Sequence, residues 1–141
     1  MKKIIFLICL ILVVSSATFL YKKENQRNTS IVSRNSSIVN VNYPQFLSGN
    51  AQIGKKYFED NCAKCHGDLA GGIQGLAPPL VHKIYEPSHH NDMSFYLAVK
   101  NGVRSHHWNF GNMPPIKNLE KKKVAKIINY IRELQRNNGI R

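Results

Sequence analysis

Acidic side chains are few in this 141-residue chain: eight Asp and Glu stand against 20 Lys and Arg, a formal charge of +12. Such a surface draws anionic partners and speeds their encounter. Cysteine is scarce too, with Cys9, Cys62 and Cys65 alone. That excludes a disulfide scaffold and a four-cysteine zinc site. Strand alternation and internal repeats are absent, and so is the βαβ context in which a C-x-x-C dithiol usually works. No groove-reading or RNA-binding signature accompanies the basic charge, so nucleic acid is not the expected partner.

What is present begins with Met1-Lys2-Lys3 and an apolar run from Ile4 to Leu20. This is an export segment, expected at residues 1–21. One reading ends the apolar core at Val14 and cleaves near Ser15-Ser16-Ala17. The other keeps the run as a membrane anchor, at the short end of the about 17–25 residues that span a bilayer. Continuation past Ala17 favours the anchor. In both readings Lys2 and Lys3 hold the N-terminus inside and the rest is exported. The protein is then anchored in the cytoplasmic membrane facing the periplasm, or soluble in the periplasm after cleavage. Cys9 lies inside the apolar run as filler. Residues 22–45, rich in Asn, Ser and Arg, have the composition of a flexible polar linker.

Residues 46–141 are expected to fold. So short a domain has little apolar core of its own, and a bound cofactor would help. The pattern predicts an all-α domain. A first helix runs from Gly49 to Cys62, with Ile53, Tyr57 and Phe58 at helical spacing. A second runs from Asp92 to Asn101, with Gly102 where a C-cap belongs. A third runs from Leu119 to Asn137. Val124, Ile127, Ile128, Ile131 and Leu134 form its apolar face, and Lys121, Lys122, Lys123, Lys126, Arg132 and Arg136 mostly take the other. The loops between them, 67–91 and 103–117, are long enough to need something that holds them.

Cys62-Ala63-Lys64-Cys65-His66 is C-x-x-C-H, the signature of covalent haem attachment. Two thiols at this spacing reach the two vinyl groups of one porphyrin, and the next residue presents an imidazole to the iron. A second axial ligand is needed if the iron is to carry electrons without binding anything else. Met93, Met113, His82, His89, His90, His106 and His107 are available. Met113 sits in the stiff loop Phe110-Gly111-Asn112-Met113-Pro114-Pro115 and is the expected ligand, since a thioether opposite His raises the potential. Met93 falls within a helix, where methionine is more often packing.

From about Leu47 to Arg141 the chain resembles a class I monohaem cytochrome c. The resemblance implies a small all-α fold, three main helices with long loops wrapped around one covalent haem c and its iron. It implies that Gly54 and Phe58 pack against Ile127 and Tyr130. It also implies that the Pro78 carbonyl accepts the His66 Nδ1 proton, that Leu80 packs on the haem face and that Trp108 binds a propionate. The pairs His89-His90 and His106-His107 depart from the family pattern. They are expected to be solvated or propionate-facing, or to make a partner contact sensitive to pH.

The resemblance implies single-electron transfer between redox complexes outside the cytoplasmic membrane, without enzymatic activity. The donor and acceptor are redox proteins, docked through acidic surfaces on Lys55, Lys56, Lys64, Lys83, Lys100, Arg104 and Lys117. The membrane is the remaining partner, through the N-terminal segment. The alternatives are a haem subunit of one oxidase, reductase or dehydrogenase, and a haem enzyme with an open sixth site.

Overall fold

The computed structural model describes Ser15, Ser16, residues 18–22 and residues 37–141. The chain divides into two units, residues 1–35 and 36–141. In the first, residues 15–16 and 18–22 are helical, and Phe19, Leu20 and Tyr21 are exposed. The expected apolar core from Ile4 to Val14, Ala17 and the linker residues 23–36 lie outside the described residues. Among the described residues no helix is long and apolar enough to cross a membrane.

The second unit is helical: α1 (Gly49–Asn61), α2 (Ala63–His66), a 3-10 turn (Lys83–Tyr85), α3 (Asp92–Asn101) and α4 (Lys121–Asn137). Among the described residues β structure is limited to isolated bridges, Ser37 with Ile73, Ile73 with Ala77, and Val103 with Met113. Capping explains two of the starts. The Ser48 hydroxyl accepts from the Ala51 N–H, and the Asn91 side chain accepts from the Ser94 N–H, each satisfying a first-turn donor. The expected first helix breaks at Cys62, whose φ of −125° and ψ of −35° separate α1 from α2. The last helix starts two residues later than the apolar pattern predicts, because Glu120 is extended.

The core is the crossing of α1 and α4. Ala51, Gly54 and Phe58 are buried on α1; Ile127, Tyr130, Ile131 and Leu134 are buried on α4. Gly54 makes the crossing close: a Cβ there would stand 1.8 Å from the Lys126 carbonyl oxygen. Phe58 then meets Tyr130 with ring centroids 5.5 Å apart. Ile53, expected on the buried side, is 47% exposed, because the Gly54 contact turns the Ala51–Gly54–Phe58 face inward.

Two further expectations are corrected. Residues 37–42, part of the stretch assigned to the linker, are packed onto the domain. Val39 N–H donates to the Gly71 carbonyl at 3.0 Å, Val41 is buried, and Asn137 and Asn138 both donate to the Asn42 carbonyl. A short stretch with one core valine carries no periodicity to announce this. Arg132, placed on the solvated face of the last helix, is 6% exposed. Its guanidinium donates to the Tyr85 carbonyl (2.7 Å), the His90 carbonyl (2.5 Å), Gln135 Oε1 (2.6 Å) and Asp92 Oδ1 (2.9 Å). Burial is tolerated because the charge is paired and its donors are used.

Candidate haem site

Helix α1 delivers the C-x-x-C-H segment. The α1 helix, packed on α4, ends at the Cys62 break, and the one-turn α2 that follows sets Cys65 and His66 relative to Cys62. The Cys65 and His66 N–H groups both bond the Cys62 carbonyl, at 3.1 and 2.9 Å. Cys62 and Cys65 are free thiols, the first half-buried and the second exposed. Burial pushes the Cys62 thiol up to about 12, with Cys65 adding to the rise.

His66 is buried, and its Nδ1 lies 2.8 Å from the Pro78 carbonyl oxygen. With Nδ1–H donating to that carbonyl, Nε2 keeps its lone pair free to bind a metal. Burial lowers the pKa of His66, and the Pro78 hydrogen bond opposes this. The net effect favours the neutral, ligating imidazole. The loop that brings Pro78 back is held by Gly72 N–H to the His66 carbonyl (2.8 Å) and by Leu80 N–H to the Ala70 carbonyl (2.7 Å). Leu80 is partly buried against the core cluster, and its carbonyl accepts from Gln135 Nε2 at 2.8 Å.

The segment 103–117 carries the other two candidates. Met113 is half-buried and exchanges two backbone bonds with Val103, at 2.9 and 3.0 Å. Gly102 permits this hairpin-like return: its φ is +74°, and a Cβ there would lie 2.5 Å from the Met113 carbonyl oxygen. Ile116 N–H, bonded to the Val99 carbonyl at 2.8 Å, ties the segment to α3. Met93, by contrast, is an exposed residue of α3. Trp108 packs edge-on to His82 at 5.2 Å and stacks on Phe110 at 5.8 Å. Among the described residues its buried indole Nε1 has no hydrogen-bond partner; the Tyr85 hydroxyl is near enough to feel it but falls outside bonding geometry. A buried N–H with no acceptor is costly alone and points to an acceptor absent from the protein itself.

The structure thus brings His66 and Pro78 into direct contact and sets Trp108 against the segment that follows Leu80. It holds Met113 on the bridge to Val103. An open groove of about 640 Å³ between α3 and the start of α4 contains none of these residues. Sequence reasoning missed Arg132 and Gln135, which pin the carbonyls of Leu80, Tyr85 and His90. Their signal was available: both recur at helical spacing after Ile128 and Ile131, within the apolar stripe rather than opposite it.

An all-helical domain that joins a C-x-x-C-H turn to a carbonyl-oriented histidine is the architecture of a c-type haem protein. The cytochrome c family pattern matches residues 51–135, well over half of the chain, and the chain belongs to that family. No curated protein and no solved structure matches it. The family's cofactor is covalently bound haem c with its iron, and its chemistry is haem-based electron transfer. The residues present fit that group: two free thiols at vinyl spacing, an imidazole with a free Nε2, and an orphaned indole N–H suited to a propionate.

Proposed function

We propose that the protein is an electron carrier with His66 and Met113 as axial ligands, passing single electrons between redox complexes outside the cytoplasmic membrane. The observation that carries this reading is the 2.8 Å contact between His66 Nδ1 and the Pro78 carbonyl oxygen. It fixes the tautomer and the ring orientation, and it strengthens the imidazole as a donor.

Haem, when bound, supplies the one-electron ferric–ferrous couple of its iron. Cys62 and Cys65 hold it covalently. His66 Nε2 and the Met113 thioether sulfur would ligate its iron. A filled sixth position excludes small ligands, and His/Met ligation raises the potential. Trp108 Nε1–H would donate to a propionate, and Leu80 would pack against the haem.

Lys55, Lys56, Lys64, Lys83, Lys100, Arg104 and Lys117 form the docking charge for acidic partners, so exchange rates fall as salt rises. Lys121 and Lys123 are committed in part to Tyr96 and Tyr57, whose rings they overlie at 5.5 and 5.7 Å. The N-terminal segment exports the domain and anchors it, and the polar residues after it tether it. A domain so tethered reaches both a donor and an acceptor.

A redox-poised visible spectrum tests the ligation. The ferric protein should be low-spin and show the long-wavelength sulfur-to-iron charge-transfer band, and Met113→Ala should abolish that band. The ferrous protein should not bind carbon monoxide. A missing band together with ready carbon monoxide binding would identify an open sixth site and a haem enzyme instead. Fractionation of cells into membrane and soluble parts tests the anchor.

A further inference from the structure

From the loop histidines we infer that His89, His90 and His107 form a second metal site, one that binds a divalent transition metal ion such as Zn2+ or Cu2+. The site is distinct from the haem iron and does not depend on Met113 being a ligand.

The two histidine pairs are far apart in sequence and meet in space. One ligand nitrogen from each of His89, His90 and His107 lies within 4.8 Å of the others. Ring centroids are 4.7 Å apart for His89 and His90, 5.5 Å for His89 and His107, and 5.3 Å for His90 and His107. His106 stands beside them, 4.2 Å from His107. Tetrahedral zinc with Zn–N of about 2.0–2.1 Å needs nitrogens about 3.3 Å apart. Small ring rotations close that gap, and His89 and His107 are exposed, with room to make them.

The supporting shell is already built. His90 Nδ1–H donates to the Ile84 carbonyl at 2.6 Å, so Nε2 is the nitrogen left to bind. His106 Nδ1 makes the same kind of bond to the Arg104 carbonyl at 2.8 Å. A backbone carbonyl on the far nitrogen is how a ligating histidine is oriented. The His90 backbone is fixed in turn by buried Arg132.

The donor set selects the ion. It contains only imidazoles and no carboxylate. Neutral nitrogens suit copper, nickel and zinc, and suit calcium and magnesium poorly. A bound ion would join the segment after the 3-10 turn to the segment that carries Trp108 and Met113.

The test uses the full-length haem-loaded protein, stripped with a chelator and titrated with zinc chloride by calorimetry in the ferric state. One ion per chain is expected, with magnesium in excess failing to compete. His89→Gln and His107→Gln should each weaken binding by more than about 100-fold, beyond the loss of about 10–100-fold typical of a supporting residue. Both substitutions are at exposed positions, and an unchanged haem spectrum certifies the fold. Zinc binding should also raise the unfolding temperature of the parent protein and not that of the His89→Gln/His107→Gln double variant. Absence of zinc uptake, or equal affinity in the parent and the double variant, overturns the site.

Discussion

A Cβ on Gly54 would stand 1.8 Å from the carbonyl oxygen of Lys126, so the crossing of α1 and α4 admits only glycine at that point. Everything at the C-x-x-C-H turn depends on this approach, since α1 delivers the turn directly. Helix propensity alone favours Gly54→Ala by about 1 kcal/mol. The contact is with backbone and cannot yield, so overpacking should win and the variant should lose about 1–3 kcal/mol. Denaturant unfolding of the haem-loaded protein measures the sign. A more stable Gly54→Ala variant would mean the helices are not in backbone contact.

Arg132 and Asp92 are joined at 2.9 Å, yet they should behave very differently. Arg132 is buried and also serves the carbonyls of Tyr85 and His90. Asp92 is 62% exposed on its side chain. Arg132→Leu leaves buried acceptors without donors and should cost about 2–3 kcal/mol. Asp92→Asn breaks an exposed contact and should cost under about 1 kcal/mol. Arg132→Lys should resemble Leu more than wild type, because an ammonium cannot reach four acceptors at once. Equal losses at both positions, in chemical denaturation, would contradict the burial argument.

This network also marks where the sequence was legible and where it was not. The three main helices, their core face and the haem turn follow from periodicity and one five-residue motif. The His66–Pro78 and Phe58–Tyr130 pairs followed only through the family resemblance, and both are in contact. Arg132 was misplaced because charge was read as exposure, although its register belongs to the buried stripe. Ile53 was misplaced for the converse reason: glycine, not the largest apolar residue, decides which face of α1 comes closest. Packing of residues 37–42 rests on Val41, Val39 and a few hydrogen bonds to Gly71, Asn137 and Asn138, which leave no periodic trace. The meeting of His89, His90 and His107 depends on how two long loops fold, and no local spacing encodes that.

Gly102 should control the Met113 segment. Its φ is +74°, and a Cβ on it would meet the Met113 carbonyl oxygen at 2.5 Å, which leaves no room for a side chain. Gly102→Ala should therefore cost about 1–3 kcal/mol in backbone strain. It should also displace the Val103–Met113 bridge, weakening the sulfur-to-iron band and lowering the reduction potential. The spectrum and a redox titration read this separately from stability. A destabilised variant with an unaltered band and potential would show that Met113 is positioned by something else.

Trp108 should matter through one hydrogen atom. Among the described residues its buried Nε1–H makes no hydrogen bond, although the Tyr85 hydroxyl lies near it. If it donates to an ionised propionate, Trp108→Phe removes a charge-assisted bond of about 1.5–3 kcal/mol. The haem-loaded variant should be less stable by that order, and the pH dependence of its reduction potential should shift as the propionate holds its proton more tightly. An unchanged stability and an unchanged potential–pH curve would leave the indole with no role at the propionate.

His107 should titrate below the ordinary imidazole value of 6.5, lowered by desolvation and then by His106, His90 and His89. The sign for stability follows from linkage. A histidine with a depressed folded pKa is more readily protonated in the unfolded chain, so the unfolded state binds more protons as pH falls. The folded state is unpenalised above about 6.5. It loses stability progressively as pH drops through that value toward the lower folded pKa. Proton NMR titration of the imidazole signals in metal-free protein measures the midpoint directly. His106→Gln removes the largest charge on His107 and should move its midpoint upward. A His107 midpoint at or above the ordinary value, or one indifferent to His106, would mean the four rings do not share a field.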